Sequence, residues 1–192
     1  LFILIVTGGG CGFISATLSN LPDVSNVRPS ASSQIYDVHG NLITTVHSTE
    51  NRLPVPLKDV PKDLQNAFVA TEDSRFYSHH GIDPIGILRA IWVNIVHSGV
   101  SEGGSTITQQ LARNAFLSQD RTFKRKISEA LLALKIEQHY TKDEILEMYM
   151  NQIYFGQGAY GVQSAAHVYF GKDVRDLTLA QCAMLAGLPQ SP

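Results

Sequence analysis

Apolar residues recur three or four positions apart over most of the chain, which is the spacing of an amphipathic α-helix. The first clear case follows Pro61, where Leu64, Ala67 and Phe68 share one face in a run that ends near Glu72. No alternating strand and helix rhythm and no internal repeat interrupts this pattern. The sequence therefore predicts a mainly α-helical body.

Several helix starts are marked by capping residues. Asp83 precedes Pro84, and proline is favoured at the first position of a helix. Ser105 is predicted to cap a helix that runs through Ile107 and Leu111. Two capping boxes, each a threonine answered three residues later by Glu or Gln, precede apolar runs; they are Thr141 with Glu144 and Thr178 with Gln181.

The longest predicted helix covers residues 122–140. Its apolar face is predicted to contain Ile127, Leu131 and Leu134.

One stretch has the period of a β-strand. QIYDVHGNLITTVHS (34–48) alternates on both sides of His39, Gly40 and Asn41, which predicts a β-hairpin. The fold class expected from the residues is therefore mainly α with a small β-hairpin.

The N-terminal residues form a separate region. Residues 1–18 carry no charge and are about long enough to span a bilayer, so they predict the end of a transmembrane signal anchor. A cleaved signal peptide and a buried helix are the alternatives. Residues 19–33 are rich in Ser, Asn and Pro and predict a linker. The folded domain is expected over 34–192.

Composition narrows the class of protein. The 192 residues are 44% hydrophobic and 17% charged, with a net charge of −2, which suits a globular domain with a core. A nearly neutral chain has no overall field that favours nucleic acid, so anion binding must come from a local cluster. Cys11 and Cys182 resemble neither a metal pair nor a disulfide framework.

The stretch EDSRFYSHHG (72–81) concentrates ionisable groups and leaves three interpretations open. A metal site is disfavoured because adjacent histidines on a helix point about 100° apart. Glu72 suits a general base if a neighbour such as Phe76 desolvates it. The polar end of a surface helix is the third interpretation, and this stretch alone does not decide among them.

Two further stretches suit an anion. EGGSTITQQLARN (102–114) places glycines and hydroxyls before a helix start, although it lacks the lysine of a nucleotide P-loop. RTFKRKISEALLALKIE (121–137) places Lys124, Arg125 and Lys126 at a helix N-terminus, where cations are disfavoured unless they serve an anion. An ordinary loop and a solvated helix start are the alternatives. The residues alone predict an anion-binding helical domain with carboxylates nearby.

Taken together, these stretches resemble the peptidoglycan glycosyltransferase family (glycosyltransferase family 51), found in class A penicillin-binding proteins and monofunctional transglycosylases. The pattern ED..F..H.G is matched at Glu72, Asp73, Phe76, His79 and Gly81; GGSTITQQL.RN is matched over 103–114; and RK..E is matched at Arg125, Lys126 and Glu129. Residues 142–172 and 177–192 resemble the fourth and fifth blocks. The resemblance covers 34–192 and implies that the C-terminal end of the domain is cut short. Met150 and Gln181 depart from the usual residues, and neither carries a proposed role.

The resemblance implies a lysozyme-like glycosyltransferase fold that polymerises lipid II into β-1,4-linked glycan with inversion and release of undecaprenyl pyrophosphate. Glu72 would be the general base, and Glu129 would assist at the pyrophosphate. Positive charge for the leaving group would come from Arg113, Arg125 and Lys126. The remaining substrate-binding positions that the resemblance implies are Asp73, His79, Ser105, Thr106, Gln110 and Asn114, of which Asp73 and His79 are expected mainly to hold the Glu72 loop.

No cofactor is strictly required by the resemblance, which leaves room for a divalent cation (Mg²⁺ or Mn²⁺) near the pyrophosphate. The expected partners are lipid II, the growing glycan on undecaprenyl pyrophosphate, the membrane and a cell wall synthesis complex, with no nucleic acid. The expected location is the cell membrane, single-pass, with the catalytic domain on the extracytoplasmic face. The loop 97–104 and the helix with Trp92 are candidates for the apolar lobe that carries the lipid.

Two competing functions share parts of this pattern. A lytic transglycosylase or muramidase needs a catalytic glutamate but no pyrophosphate clamp, so Arg113, Arg125 and Lys126 argue against it. A catalytically inactive binding module is expected to have lost a glutamate, whereas Glu72 and Glu129 are both present.

Overall fold

The structure is a computed structural model that describes residues 21–25, 33–40, 42–46, 51–96, 103–117 and 122–190. Within these ranges the chain is mainly helical, as predicted. The membrane segment predicted at 1–18 lies outside the described residues. No helix in the described ranges combines the length and the apolar character needed to cross a bilayer.

The described residues form seven α-helices: α1 (Lys62–Glu72), α2 (Pro84–Val96), α3 (Ile107–Phe116), α4 (Phe123–His139), α5 (Lys142–Gln152), α6 (Val162–Phe170) and α7 (Leu179–Gly187). Helix α1 packs along α7, and α3 contacts both α4 and α5.

Threonine capping boxes start three of these helices. The boxes predicted at Thr141 and Thr178 are confirmed. The cap predicted at Ser105 is wrong by one residue, because Thr106 is the N-cap of α3. Thr106 is preferred since Gln109, three residues later, completes the box by accepting a hydrogen bond from the backbone N–H of Thr106.

The long helix α4 is confirmed, but the apolar face predicted for it is wrong. Leu134 is exposed, and Ile127 and Leu131 are only half-buried. The buried positions are Ser128, Glu129, Leu132, Ala133 and Ile136. The packed helix turns the charged Glu129 inward, where neighbouring cations offset its charge.

The predicted hairpin is confirmed as strands β1 (Ser33–Tyr36) and β2 (Leu42–Val46), which pair antiparallel with one irregularity before Tyr36. Its turn is closed by Asp37, whose side chain accepts from the backbone N–H of His39 at 2.8 Å. Gly40 adopts a φ of +83°, a conformation that glycine reaches without strain.

A second pairing was not predicted. Strands β3 (Asn51–Arg52) and β4 (Ala159–Tyr160) pair in parallel. Two-residue strands are too short to show any periodicity, so no sequence signal marks them.

Residues 51–60, which we call the strap, begin with β3, continue along the helical body and end with a short 3-10 helix (Leu57–Asp59). Val55 exchanges two hydrogen bonds with the Asn151 side chain, of 2.9 Å from its N–H and 2.8 Å to its carbonyl oxygen. The backbone N–H of Leu57 donates to Glu147 at 2.7 Å. The strap is therefore held by side chains of α5 that lie far along the sequence.

Residues 21–25, inside the predicted linker, also contact the helical body. Val24 is fully buried, and its carbonyl oxygen accepts a 2.9 Å hydrogen bond from the hydroxyl of Tyr140. Lys135 donates to the carbonyl oxygen of Pro22 at 3.2 Å.

Helix α2 differs from the other helices because its apolar side chains face outward. Ala90 is its buried residue. Its large exposed apolar side chains form a surface that we call the α2 face: Ile85, Leu88, Ile91, Trp92, Ile95 and Val96. Trp92 is 69% exposed, far more than an indole in a packed core.

Candidate active site

The carboxylate of Glu72 stands at the last residue of α1, beside α3. Its Oε2 accepts a 2.8 Å hydrogen bond from Nε2 of Gln110. Its Oε1 is buried and makes no hydrogen bond with any described residue. A buried acceptor without a donor costs about 1–3 kcal/mol, so this oxygen is set to accept from an incoming hydroxyl.

The helix ends at Glu72 because Asp73 leaves helical geometry and turns the chain. Asp73 accepts from Nε2 of His79 at 2.9 Å and from the backbone N–H of Ile107 at 3.1 Å. It therefore joins the EDSRFYSHHG turn to the first residue of α3. The buried ring of Phe76 lies edge-on to His79.

Asp73 and His79 are 8% and 6% exposed, which leaves little surface for contact with a substrate. Their contacts suit the holding role, which remains a prediction. His80, by contrast, is exposed.

Gly81 seats the end of this turn against α4. Its φ is +91°, and a Cβ added there would lie 2.9 Å from the backbone C and O of Ala133. The hydroxyl of Thr106 donates to the carbonyl oxygen of Gly81 at 2.7 Å. The turn thus contacts both α3 and α4, and only glycine fits at this point.

A positively charged cluster lies next to Ser105. Nζ of Lys126 donates to Oγ of Ser105 at 2.7 Å and to Oε2 of Glu129 at 2.8 Å. Nε of Arg125 lies 3.0 Å from Oε1 of Glu129. Two cations therefore face one carboxylate that is 1% exposed, and the cluster keeps a net positive charge. This arrangement suits binding of an anion.

A cleft is lined by both Glu72 and Ser105. Its lining residues are Glu72, Asp73, Ser74, Asp83, Gly86, Arg89, Gly103, Gly104, Ser105 and Thr106. It brings Glu72 next to Ser105, the partner of Lys126. The cleft also borders α2 through Gly86 and Arg89.

The remaining predicted positions lie along α3. Gln110 contacts Glu72, as described, and Arg113, half-buried, lies close enough to act electrostatically on Tyr149 together with Glu72. Asn114 is exposed, one turn after Gln110 on the same face of α3. The roles of these three residues in substrate binding remain predictions.

Three residues of this region were not identified from the sequence: Asp83, Arg89 and Tyr149. Asp83 was assigned only to helix capping, which is confirmed by the 3.1 Å bond that its carboxylate accepts from the backbone N–H of Ile85. The same carboxylate also pairs with Arg75. Burial raises the pKa of Asp83, but hydrogen bonds from the Gly86 N–H and from Arg75 outweigh burial and lower it overall.

The divalent cation expected near the pyrophosphate remains a prediction. No group of three or more His, Cys, Asp or Glu in the described ranges could hold a metal ion. Glu129, the carboxylate nearest the positive cluster, already contacts two cations. A further cation there would meet positive charge.

The chain matches known proteins over nearly its whole length. The model of the Transglycosylase family matches residues 39–192. Penicillin-binding protein 1A of Escherichia coli K12 is 52% identical over 193 residues, which cover 99% of this chain and 23% of that protein. Penicillin-binding protein 1F of Bacillus subtilis 168 is 51% identical over 162 residues, which cover 84% of this chain and 22% of that protein.

A crystal structure of penicillin-binding protein 1A from Haemophilus influenzae, at 2.6 Å resolution, aligns with 30% identity and a TM-score of 0.42. The alignment covers 86% of this chain and 15% of that one. The chain thus spans less than a quarter of the length of the two curated relatives. Because the family model covers most of its residues, the chain belongs to the transglycosylase family.

Proposed function

We propose that this chain polymerises lipid II into β-1,4-linked glycan, with inversion at the anomeric carbon and release of undecaprenyl pyrophosphate. Membership of the transglycosylase family supports this proposal. The mainly helical body, with a glutamate at the end of a helix beside a cleft, agrees with the lysozyme-like arrangement implied by the resemblance.

The observation that carries the proposal is that Oε1 of Glu72 is buried and makes no hydrogen bond with the described residues. Gln110 holds Oε2, so Oε1 is the oxygen left to receive a proton. In the proposed reaction, the 4-hydroxyl oxygen of the incoming GlcNAc attacks the anomeric carbon of the donor glycan. As it does so, Oε1 of Glu72 takes the proton of that hydroxyl. The bond to the pyrophosphate oxygen breaks on the opposite face, which gives inversion.

The leaving pyrophosphate gains negative charge as that bond breaks. Lys126 and Arg125 supply positive charge at fixed positions, because Glu129 holds both side chains. Such preorganised charge stabilises a transition state without the cost of reorganising solvent. The chain's own cations perform this role in the proposed mechanism, and no step is assigned to a metal.

The α2 face supports a membrane partner. Six large apolar side chains stay exposed on a helix that also borders the cleft through Gly86 and Arg89. A lipid-linked substrate keeps its undecaprenyl chain in the bilayer, so an apolar surface beside the cleft would bring the reacting sugar to the base. Together with the apolar segment at 1–18, this supports location at the cell membrane. The extracytoplasmic face in the proposal comes from the family resemblance.

The decisive test is Glu72→Gln, assayed for polymerisation of lipid II in detergent or vesicles. Glutamine keeps the shape and can still accept from Gln110, but it cannot take a proton. We expect turnover to fall by at least about a hundredfold, the usual contribution of a general base, while lipid II binding persists.

Glu144→Gln is the matched control, since glutamine preserves a capping box and this side chain is exposed. It should behave as wild type. If Glu72→Gln polymerised lipid II at nearly the wild-type rate, Glu72 would not be the general base. Cleavage of finished glycan without polymerisation by the wild-type chain would favour a lytic enzyme instead.

A further inference from the structure

A buried tyrosine stands behind the Glu72 and Gln110 pair. Tyr149, on α5, is fully buried, and its hydroxyl donates to Oε1 of Gln110 at 3.3 Å. Nε2 of the same amide donates to Oε2 of Glu72 at 2.8 Å. The three side chains form a chain of hydrogen bonds that ends at the carboxylate.

The ring of Tyr149 is itself held from the Glu72 helix. It lies edge-on to Phe68, with ring centroids 6.0 Å apart. Phe68 is one turn before Glu72 on α1. Helix α1 therefore fixes both the carboxylate and the aromatic ring that reaches the far side of the amide.

We propose that Tyr149 is a positioning residue for the base: its hydroxyl keeps the Gln110 amide turned so that the N–H group faces Glu72. This inference rests on the proposed role of Glu72 as general base. Tyr149 has no exposed surface, so it acts through Gln110 and does not touch substrate.

The need for such a residue follows from the chemistry of the amide. The two ends of an amide have nearly the same shape, and a rotation by half a turn exchanges donor and acceptor. An ionised Glu72 selects the N–H end by itself. Once Glu72 has taken a proton, however, its O–H could donate to the amide oxygen of a rotated Gln110. The proton would then sit on Oε2, the oxygen that contacts Gln110.

Tyr149 removes this alternative. In the rotated state the amide N–H would donate to the tyrosine oxygen, but the buried O–H of Tyr149 would have no acceptor, since it makes no other hydrogen bond within the described residues. A buried donor without an acceptor is unfavourable, so the amide favours one orientation in both protonation states of the base. Oε1 thus stays the oxygen without a hydrogen bond, left to receive the proton.

The hydroxyl is suited to act as a permanent donor. Burial raises the pKa of Tyr149 well above its ordinary value, and the charges of Glu72 and Asp73 raise it further, whereas Arg113 opposes them. The group therefore remains protonated throughout the neutral range. Its bond to Gln110 is long for an O–H···O contact, so the expected effect of its removal is moderate.

The test is Tyr149→Phe in the whole chain, with initial rates of lipid II polymerisation measured against concentration and pH. We expect kcat to fall about three- to tenfold, the value of one neutral hydrogen bond, with KM unchanged. We also expect the acidic limb of the kcat–pH profile to move to higher pH, since without the tyrosine hydroxyl a rotated Gln110 amide can accept from the protonated carboxyl and stabilise that inactive form of the base.

Tyr169→Phe is the matched control, because that hydroxyl donates to the carbonyl oxygen of Phe155 at 2.6 Å, outside the site. It should change neither kcat nor the profile. The change caused by Tyr149→Phe should also disappear in a Gln110→Ala background, because the effect passes through that amide.

A lower kcat in Tyr149→Phe with an unmoved pH limb, or an effect that persists in Gln110→Ala, would overturn the positioning role. So would a wild-type rate in Tyr149→Phe. These results differ from failure of the proposed function, which would appear as retained polymerisation in Glu72→Gln.

Discussion

Two buried or half-buried glutamates have opposite surroundings in this site. Glu72 has one oxygen held by an amide and one oxygen without a hydrogen bond, which suits proton transfer. Glu129 is contacted by Lys126 and Arg125, which suits a fixed negative charge that holds two cations in place. The same residue type is thus expected to perform two different tasks because its neighbours differ.

Replacement of Lys126 tests the role of the cations. Lys126→Ala removes a positive charge and the donor to Ser105, so the developing charge on the pyrophosphate loses a partner. We expect kcat/KM for lipid II to fall by about a hundredfold or more, as measured by the initial rate of polymerisation. Thermal unfolding of the variant separates this effect from loss of fold.

Lys124→Ala is the control, since Lys124 lies on the same first turn of α4 but is exposed. It should keep wild-type kinetics. Equal losses in both variants would show that general surface charge, and not the cluster at Glu129, determines the rate.

At the level of elements, the position of the turn that follows Glu72 (residues 73–81) depends on its contact with α4. Gly81 is the closest point, because its positive φ and its approach to Ala133 exclude any side chain. Thr106, which caps α3, donates to the same residue. The turn is thus set by two helices, neither of which carries Glu72.

Gly81→Ala should therefore lower both stability and activity. The new methyl group would overlap the backbone of α4, and alanine at a φ of +91° is strained. We expect the free energy of unfolding in urea to fall by about 3 kcal/mol or more.

Gly171→Ala isolates the backbone part of this effect. Gly171 also has a positive φ, of +62°, but nothing lies within 4 Å of an added Cβ. It should lose only about 1–2 kcal/mol and keep full activity. Similar losses for the two variants would mean that the contact with α4 contributes nothing.

Elements were predictable from the sequence where the signal is local. The capping boxes at Thr141 and Thr178 and the hairpin predicted around His39, Gly40 and Asn41 depend on neighbouring residues, and the boxes and the hairpin form. The turn of the hairpin is closed by Asp37, two residues before the predicted position. The buried face of α4 was not predictable, because it depends on which cations surround Glu129 after folding.

The candidate site was predictable only in part, for a similar reason. Glu72, Ser105 and Lys126 were identified by their motifs; Glu72 and Ser105 line one cleft, and Lys126 donates to Ser105. Tyr149 was missed because an aromatic residue in an apolar run reads as core. Its hydroxyl gains meaning only when Gln110, 39 positions away, is placed beside it.

At the scale of the whole molecule, the α2 face gives the domain one apolar side next to its cleft. Trp92 is the single tryptophan of the chain, so its fluorescence reports directly on this surface. On addition of anionic vesicles, we expect the emission of Trp92 to shift to the blue and to be quenched by brominated lipid, because an interfacial indole leaves water. Acrylamide should also quench the fluorescence of Trp92 less strongly once the vesicles are present.

A relocated tryptophan provides the control. Leu179, on α7, is 67% exposed, close to the value for Trp92, but lies on another helix. In the double variant Trp92→Phe, Leu179→Trp, acrylamide should still quench the tryptophan fluorescence in the presence of vesicles, and brominated lipid should not. A Trp92 that behaves in this way in the wild-type chain would contradict docking through the α2 face.

The strap has a consequence for how the chain is made. Val55 bonds to Asn151, 96 positions later, and Leu57 bonds to Glu147, 90 positions later. A ribosome that adds about 5–20 residues per second needs roughly 5–20 s to supply those partners. Throughout that interval the strap has been synthesised, but its hydrogen-bond partners Asn151 and Glu147 have not. The strap is thus among the last parts of the domain to reach its final contacts, and we expect the newborn chain to leave it exposed until α5 has emerged.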